Sequence, residues 1–152
     1  MRLTILAVGR LKPGPMKDLA DEYAKRIAGP LATREVEERR RLPPAALKER
    51  EGALLLDALP PGALAVALDR GGTSLSSEEF AARLARWRDQ GTDELAFLIG
   101  GADGLADAVL AKARFRLALG AMTWPHLLAR VMLLEQLYRA QQILAGHPYH
   151  RA

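Results

Sequence analysis

The chain has 152 residues, 49% of them apolar and 26% charged, which sets the size and composition of one ordinary soluble domain and argues against disorder. Twenty-two Lys and Arg stand against eighteen Asp and Glu, a formal charge of +4 that leans weakly toward an anionic partner such as RNA, although a merely soluble surface explains it equally well. No Cys is present, which excludes disulfides, thiolate zinc sites and Cys nucleophiles, and no apolar run reaches the ~20 residues needed to span a bilayer.

Leu3 to Val8 reads as a first strand closed by Gly9, with no signal-peptide cleavage pattern, so a cytoplasmic protein is expected. Met16 to Ile27 has helical spacing and is stopped by Gly29-Pro30. Leu31 to Leu42 is charged and is expected to be an exposed or edge strand. Its run Arg39-Arg40-Arg41 is able to touch RNA, but a solvated edge is the simpler reading. Pro43-Pro44 opens a helix over Ala45 to Leu59. Ala63 to Leu68 is a strand buried on both faces, and Asp69 to Thr73 a loop. Ser76 and Glu79 have the form of a capping box for a helix ending at Gln90-Gly91. Glu94 to Ile99 is a further buried strand, then a short helix over Leu105 to Lys112, a strand over Phe115 to Leu119, and a long helix over Leu127 to Leu144 stopped by Gly146. Strands alternating with helices predict an α/β layer fold with a mostly parallel sheet.

Three buried strands end in small-residue loops, after Leu68, Ile99 and Leu119. In such sheets ligands sit beyond the carboxyl ends of the strands, and glycine lets the backbone approach them, so these loops predict a small-molecule pocket. Gly100-Gly101-Ala102-Asp103-Gly104 does not match the dinucleotide fingerprint and no Walker motif occurs, which disfavours an NAD enzyme or NTPase. The long helix is apolar on more than one face. It is expected to pack on the sheet and either on other helices of a core or on a second subunit. Glu135 is the available partner for Arg139 one turn away.

All three histidines lie near the end, at His126, His147 and His150, together with Trp124, Arg130, Tyr138, Tyr149 and Arg151. Proton-moving, base-stacking and phosphate-holding groups are thus gathered in one stretch. His126 either caps the long helix or faces a cleft, and Tyr138 reads first as a core residue. Two histidines at His147 and His150 without a neighbouring carboxylate or Cys make a poor metal site, so no metal is expected.

The blocks Leu98-Ile99-Gly100-Gly101-Ala102-Asp103-Gly104-Leu105, Thr123-Trp124-Pro125-His126, Glu135-Gln136-Leu137-Tyr138-Arg139-Ala140 and the ending His147-Pro148-Tyr149-His150-Arg151 resemble the RlmH family. These are ribosomal large-subunit pseudouridine N3-methyltransferases of the SPOUT class. The likeness spans the whole chain and is loosest from Leu31 to Pro61. It implies one SPOUT methyltransferase domain over residues 1–152, a C-terminal trefoil knot, a homodimer and S-adenosylmethionine as methyl donor. It further implies N3 of a pseudouridine in 23S rRNA as the acceptor, in the assembled ribosome. By resemblance, cofactor contacts fall on Leu68, Gly100, Gly101, Gly120, Ala121, Met122, Thr123, Trp124 and Pro125, with Trp124 standing where the family has an aliphatic residue. His150 is the first candidate base for the acceptor's proton, Tyr149 packs on the target base, Arg151 holds phosphate or an imide oxygen, and His126 and Arg130 face the same cleft. A non-catalytic ribosome-binding factor on a SPOUT-like fold, or a small flavodoxin-like protein, would leave the ending unexplained.

Overall fold

The computed structural model describes residues 1–151, so Ala152, the last residue of the expected domain, lies outside them. Five strands, β1 (Arg2–Val8), β2 (Leu31–Val36), β3 (Leu64–Ser74), β4 (Glu94–Ile99) and β5 (Phe115–Ala118), form one sheet in the order β2-β1-β4-β3-β5. Every adjacent pair is parallel. Parallel strands need crossovers, and five helices supply them: α1 (Pro15–Arg26), α2 (Pro44–Ala58), α3 (Ser77–Asp89), α4 (Asp107–Lys112) and α5 (His126–Leu144).

The helices divide between the two faces, which is why the inner strands read as continuous apolar runs. Ile5, Phe97 and Leu95 meet Ala20 and Ile27, Phe80 and Trp87, and Val131, Leu133 and Leu137, placing α1, α3 and α5 on one face. Leu6, Ala65, Ala67 and Leu98 meet Leu55 and Val109, placing α2 and α4 on the other. The expected capping box is formed: the Glu79 amide donates to Ser76 Oγ at 3.1 Å and the Ser76 amide to Glu79 Oε1 at 2.9 Å.

Three expectations are corrected. The charged strand foreseen over Leu31 to Leu42 stops at Val36. Beyond it, Glu38 turns back on its own segment, accepting from the Arg40 amide at 3.1 Å and from Arg50 Nε at 2.9 Å, and these local bonds replace the strand ladder. The loop foreseen over Asp69 to Thr73 is instead an excursion within one strand. β3 pairs with β5 at Leu68↔Leu117, departs, and rejoins at Thr73↔Leu117 and Ser74↔Ala118. The return is close: a Cβ on Gly72 would lie 2.6 Å from the Arg116 carbonyl, so only glycine fits there. The short helix α4 also starts later than Leu105, because Leu105 and Ala106 are buried as an extended plug before it.

Because all strands run the same way, the loops after Val8, Val36, Leu68, Ile99 and Ala118 emerge along one edge of the sheet. That edge carries the site.

Candidate active site

Three of these loops close around a cavity of about 390 Å³. Its walls are Leu68, Asp69 and Arg70 from the β3 excursion, Ile99 to Leu105 after β4, and Leu119, Gly120, Met122, Thr123 and Trp124 after β5, with His126 and Ala129 from α5. This is the convergence expected from the sequence. Of the nine expected cofactor positions, Leu68, Gly100, Gly101, Gly120, Met122, Thr123 and Trp124 line the cavity, whereas the exposed Ala121 and Pro125 do not.

Internal bonds hold the walls. Arg70 Nη1 donates to Thr123 Oγ1 at 2.7 Å, tying the β3 excursion to the loop after β5. Trp124 Nε1 donates to the Leu119 carbonyl at 2.8 Å, which closes that loop and leaves the indole, 40% exposed, as a wall of the cavity. In the loop after β4, the Gly104 amide donates to the Gly101 carbonyl at 3.1 Å, folding the chain so tightly that a Cβ on Gly100 would sit 2.6 Å from the Gly104 carbonyl oxygen. Beneath this loop lies Glu51 of α2, which sequence reasoning missed. Its carboxyl rests on the bare Cα of Gly101, where a methyl would stand 3.0 Å from Oε2, and among the described residues Oε1 has no hydrogen-bond partner. Burial, with the nearby Asp103 charge, pushes Glu51 above the ordinary carboxylate value. The signal available was Glu51-Gly52 inside a helical pattern: Gly52 is where α2 meets Ala106, since a Cβ there would stand 2.8 Å from the Ala106 methyl.

His126 is the first residue of α5 and lies half-buried in the cavity wall beside Gly9. Among the described residues no side chain caps this helix, so the capping alternative is corrected. Burial, and then the Arg130 charge, lower its basicity, which keeps the ring neutral near pH 7. Arg130 does not face the cavity. It is 3% exposed, paired to Glu35 of β2 and donating through Nη2 to the Gly9 carbonyl at 3.0 Å. The expectation that it shares the cleft is corrected: one helical turn past His126, its side chain points to the ends of β1 and β2. Burial would raise Glu35, but the Arg130 hydrogen bond, the Leu11 amide and the neighbouring charges outweigh it and hold the carboxyl below its usual value.

The polar ending does not line this chain's cavity. It lies over α3 and α5 instead. Tyr149 Oη donates to Glu135 Oε1 at 3.2 Å, its ring meets Tyr138 edge-on at 4.7 Å, and the Arg139 guanidinium covers it at 4.9 Å. The expected Glu135–Arg139 pair is present, with Arg139 Nε donating at 2.9 Å. Burial and the Glu135 charge push the Tyr149 phenol up to about 12, so it stays protonated. His150 Nε2 sits 2.7 Å from Glu78 Oε1, while Arg151 is exposed. Next to this ending runs an apolar groove of about 400 Å³, lined by Leu75, Phe80, Leu128, Met132, Glu135 and others. It shares Leu119 and Gly120 with the cavity, so the two are contiguous.

A crevice at the carboxyl ends of parallel strands, floored by backbone turns and lined by both apolar and charged side chains, is a small-molecule site. The family model described as predicted SPOUT methyltransferase matches residues 1–150, and the chain belongs to that methyltransferase family. Among its relatives are proteins named ribosomal RNA large subunit methyltransferase H: one from Rhodospirillum centenum is 59% identical over 152 residues, covering 100% of both chains. Another, from Paramagnetospirillum magneticum, is 54% identical over 151 residues, covering 99% of each. The fold also matches a crystal structure titled probable methyltransferase from Bordetella pertussis, with a TM-score of 0.59 and 21% identity, over 91% of this chain and 95% of that one.

Proposed function

We propose that this chain methylates N3 of a pseudouridine in 23S ribosomal RNA, in the assembled large subunit, with S-adenosylmethionine as donor. The reading places the enzyme in the cytoplasm as a homodimer of single SPOUT domains, each with a C-terminal trefoil knot. The single observation that carries it is the glycine-turned cavity at the carboxyl ends of β3, β4 and β5 in a chain of this family.

The residues present suit the donor. Leu68, Ile99, Leu105, Leu117 and Trp124 offer apolar walls for a purine and ribose, and the backbone turns at Gly100–Gly104 and Gly120 leave amides and carbonyls at the rim. Arg70 is matched to a carboxylate, and Asp69 and Asp103 to an ammonium. When bound, the donor supplies an electrophilic methyl on a sulfonium. The protein's work is alignment and proton removal. N3 of pseudouridine carries a proton and attacks only as that proton leaves. His150 is the proposed acceptor of the proton, so that the N3–CH₃ bond forms as the S–CH₃ bond breaks. Tyr149, held neutral, packs on the base, and Arg151 holds a phosphate or the imide oxygen. His126, neutral in the cavity wall, contributes an uncharged hydrogen-bonding group there.

In this reading the tail residues serve the cavity of a second copy. They lie on the α3–α5 side next to the apolar groove, and the groove abuts the cavity at Leu119 and Gly120. A two-fold pairing over the groove brings one tail against the other subunit's cavity. Calorimetric titration with S-adenosylmethionine, followed by methyl transfer to ribosomes lacking the mark, tests the reading. Saturable binding and one methyl on the pseudouridine are expected. Binding without transfer to any ribosomal RNA would make the chain a docking factor and refute the proposal. A mixed dimer of tail-less and Gly100→Ala chains should recover activity if the tail acts across the dimer.

A further inference from the structure

The cavity occupies only part of the sheet edge; the rest is cationic. Beyond β4 come the loops after β1 and β2, the latter strand lying two spacings, about 10 Å, from β4. Arg10 and Lys12 follow β1, and Arg39, Arg40 and Arg41 follow β2; all five side chains are exposed. Two carboxylates of this region, Glu35 and Glu38, are already committed. Glu35 is taken by Arg130 and the Leu11 amide, and Glu38 by Arg40 at 3.0 Å and Arg50 at 2.9 Å, hydrogen bonds that hold Glu38 down at about 2. Among the described residues, Arg10, Lys12, Arg39 and Arg41 have no carboxylate partner, and exposed Glu37 is the one uncommitted acid in the same stretch. Arg130 fixes the geometry, because its bonds to Gly9 and Glu35 clamp the ends of β1 and β2 to α5, the helix whose His126 lines the cavity.

We infer that Arg10, Lys12, Arg39 and Arg41 form a phosphate track that holds the RNA backbone flanking the target nucleotide while its base enters the cavity. Four exposed cations on the loops of the reaction edge, none with a carboxylate at ion-pair distance among the described residues, suit a polyanion, and neutralising phosphates sets affinity and register without reading sequence. The inference deepens the proposed ribosomal RNA substrate and rests on it.

The test is the quadruple variant Arg10→Gln, Lys12→Gln, Arg39→Gln, Arg41→Gln, compared with wild type and with a control, Lys112→Gln and Arg114→Gln, at the opposite sheet edge before β5. Binding to large ribosomal subunits and to protein-free large-subunit RNA is measured across salt concentrations, alongside S-adenosylmethionine affinity. The track predicts unchanged donor affinity and thermal midpoint, RNA affinity weakened by roughly tenfold or more, and a log K against log salt slope shallower by about 3, the signature of four lost phosphate contacts. Restoring lysine at Arg39 and Arg41 should recover part of the loss, since charge rather than a fork geometry is required. Wild-type affinity and slope in the quadruple variant, or an equal loss in the control, overturns the track while leaving methyl transfer intact. Loss confined to whole subunits, with protein-free RNA bound normally, also overturns it and points to a ribosomal protein. A wild-type enzyme that methylates no ribosomal RNA instead refutes the reading beneath it.

Discussion

Replacing Gly100 by alanine tests whether the turn after β4 is built to its limit. The added Cβ would stand 2.6 Å from the Gly104 carbonyl oxygen and 2.7 Å from its carbon, about 0.8 Å inside ordinary contact at 3.4 Å. Both atoms are backbone, so no side chain can swing away. The loop must open, and the Gly104-to-Gly101 hydrogen bond of 3.1 Å is the first to stretch. Overpacking of this kind costs about 1–3 kcal/mol. For a domain of this size that lowers the thermal midpoint by about 2–12 °C. The same movement displaces one whole wall of the cavity, and a misplacement near 1 Å can reduce a positioned reaction by about 100-fold. Differential scanning fluorimetry and calorimetric titration with S-adenosylmethionine are the assays. A midpoint within a degree of wild type, together with unchanged donor affinity, would refute the claim that this turn shapes the binding site.

Three further perturbations follow from the charged groups. Glu35→Gln removes the negative charge facing the nearly buried Arg130 guanidinium, leaving it only neutral oxygen acceptors, and should destabilise the fold by about 2–3 kcal/mol, less than a fully buried pair because Glu35 is itself partly exposed. Since Glu35 is held below its ordinary value of 4.5, its contribution is present above that pH and is lost as pH falls through the lower folded value; urea midpoints down an acid series should show the loss in wild type and not in the variant. Glu51 has the opposite sign. Its raised folded value makes its contribution complete below 4.5 and lost as pH rises through the folded value, so Glu51→Gln should gain on wild type with increasing pH, and parallel urea curves for the two proteins would contradict its burial. His126 should titrate in NMR with a midpoint below 6.5; a midpoint at or above that value would mean that the ring is neither desolvated nor sensitive to Arg130.

Much of the architecture was legible because its signals are local. The runs at Leu3–Val8, Ala63–Leu68 and Glu94–Ile99 are buried on both faces and read as strands, the Ser76 and Glu79 pair announced a helix start, and three strands ending in small residues marked the binding edge. The segments that failed are those where a distant partner decides. The strand at Leu31 ends at Val36 because Arg50, from the next helix, and Arg40 claim Glu38. The Asp69–Thr73 segment rejoins the sheet because β5, remote in sequence, has an open edge for it.

The candidate site divides along the same line. Which residue types supply cavity walls, and that His150, Tyr149 and Arg151 form one polar ending, is written in the chain itself, because backbone freedom and side-chain chemistry belong to individual residues. The sequence could not say that Arg130, one turn from His126, turns inward to clamp Glu35 and Gly9. Nor could it say that Glu51 lies under Gly101 with its Oε1 unpartnered among the described residues, or that the ending rests over α3 and α5 away from its own cavity. Those outcomes depend on which groups the closed sheet brings within a few ångströms and which it screens from water, and only packing in three dimensions sets that.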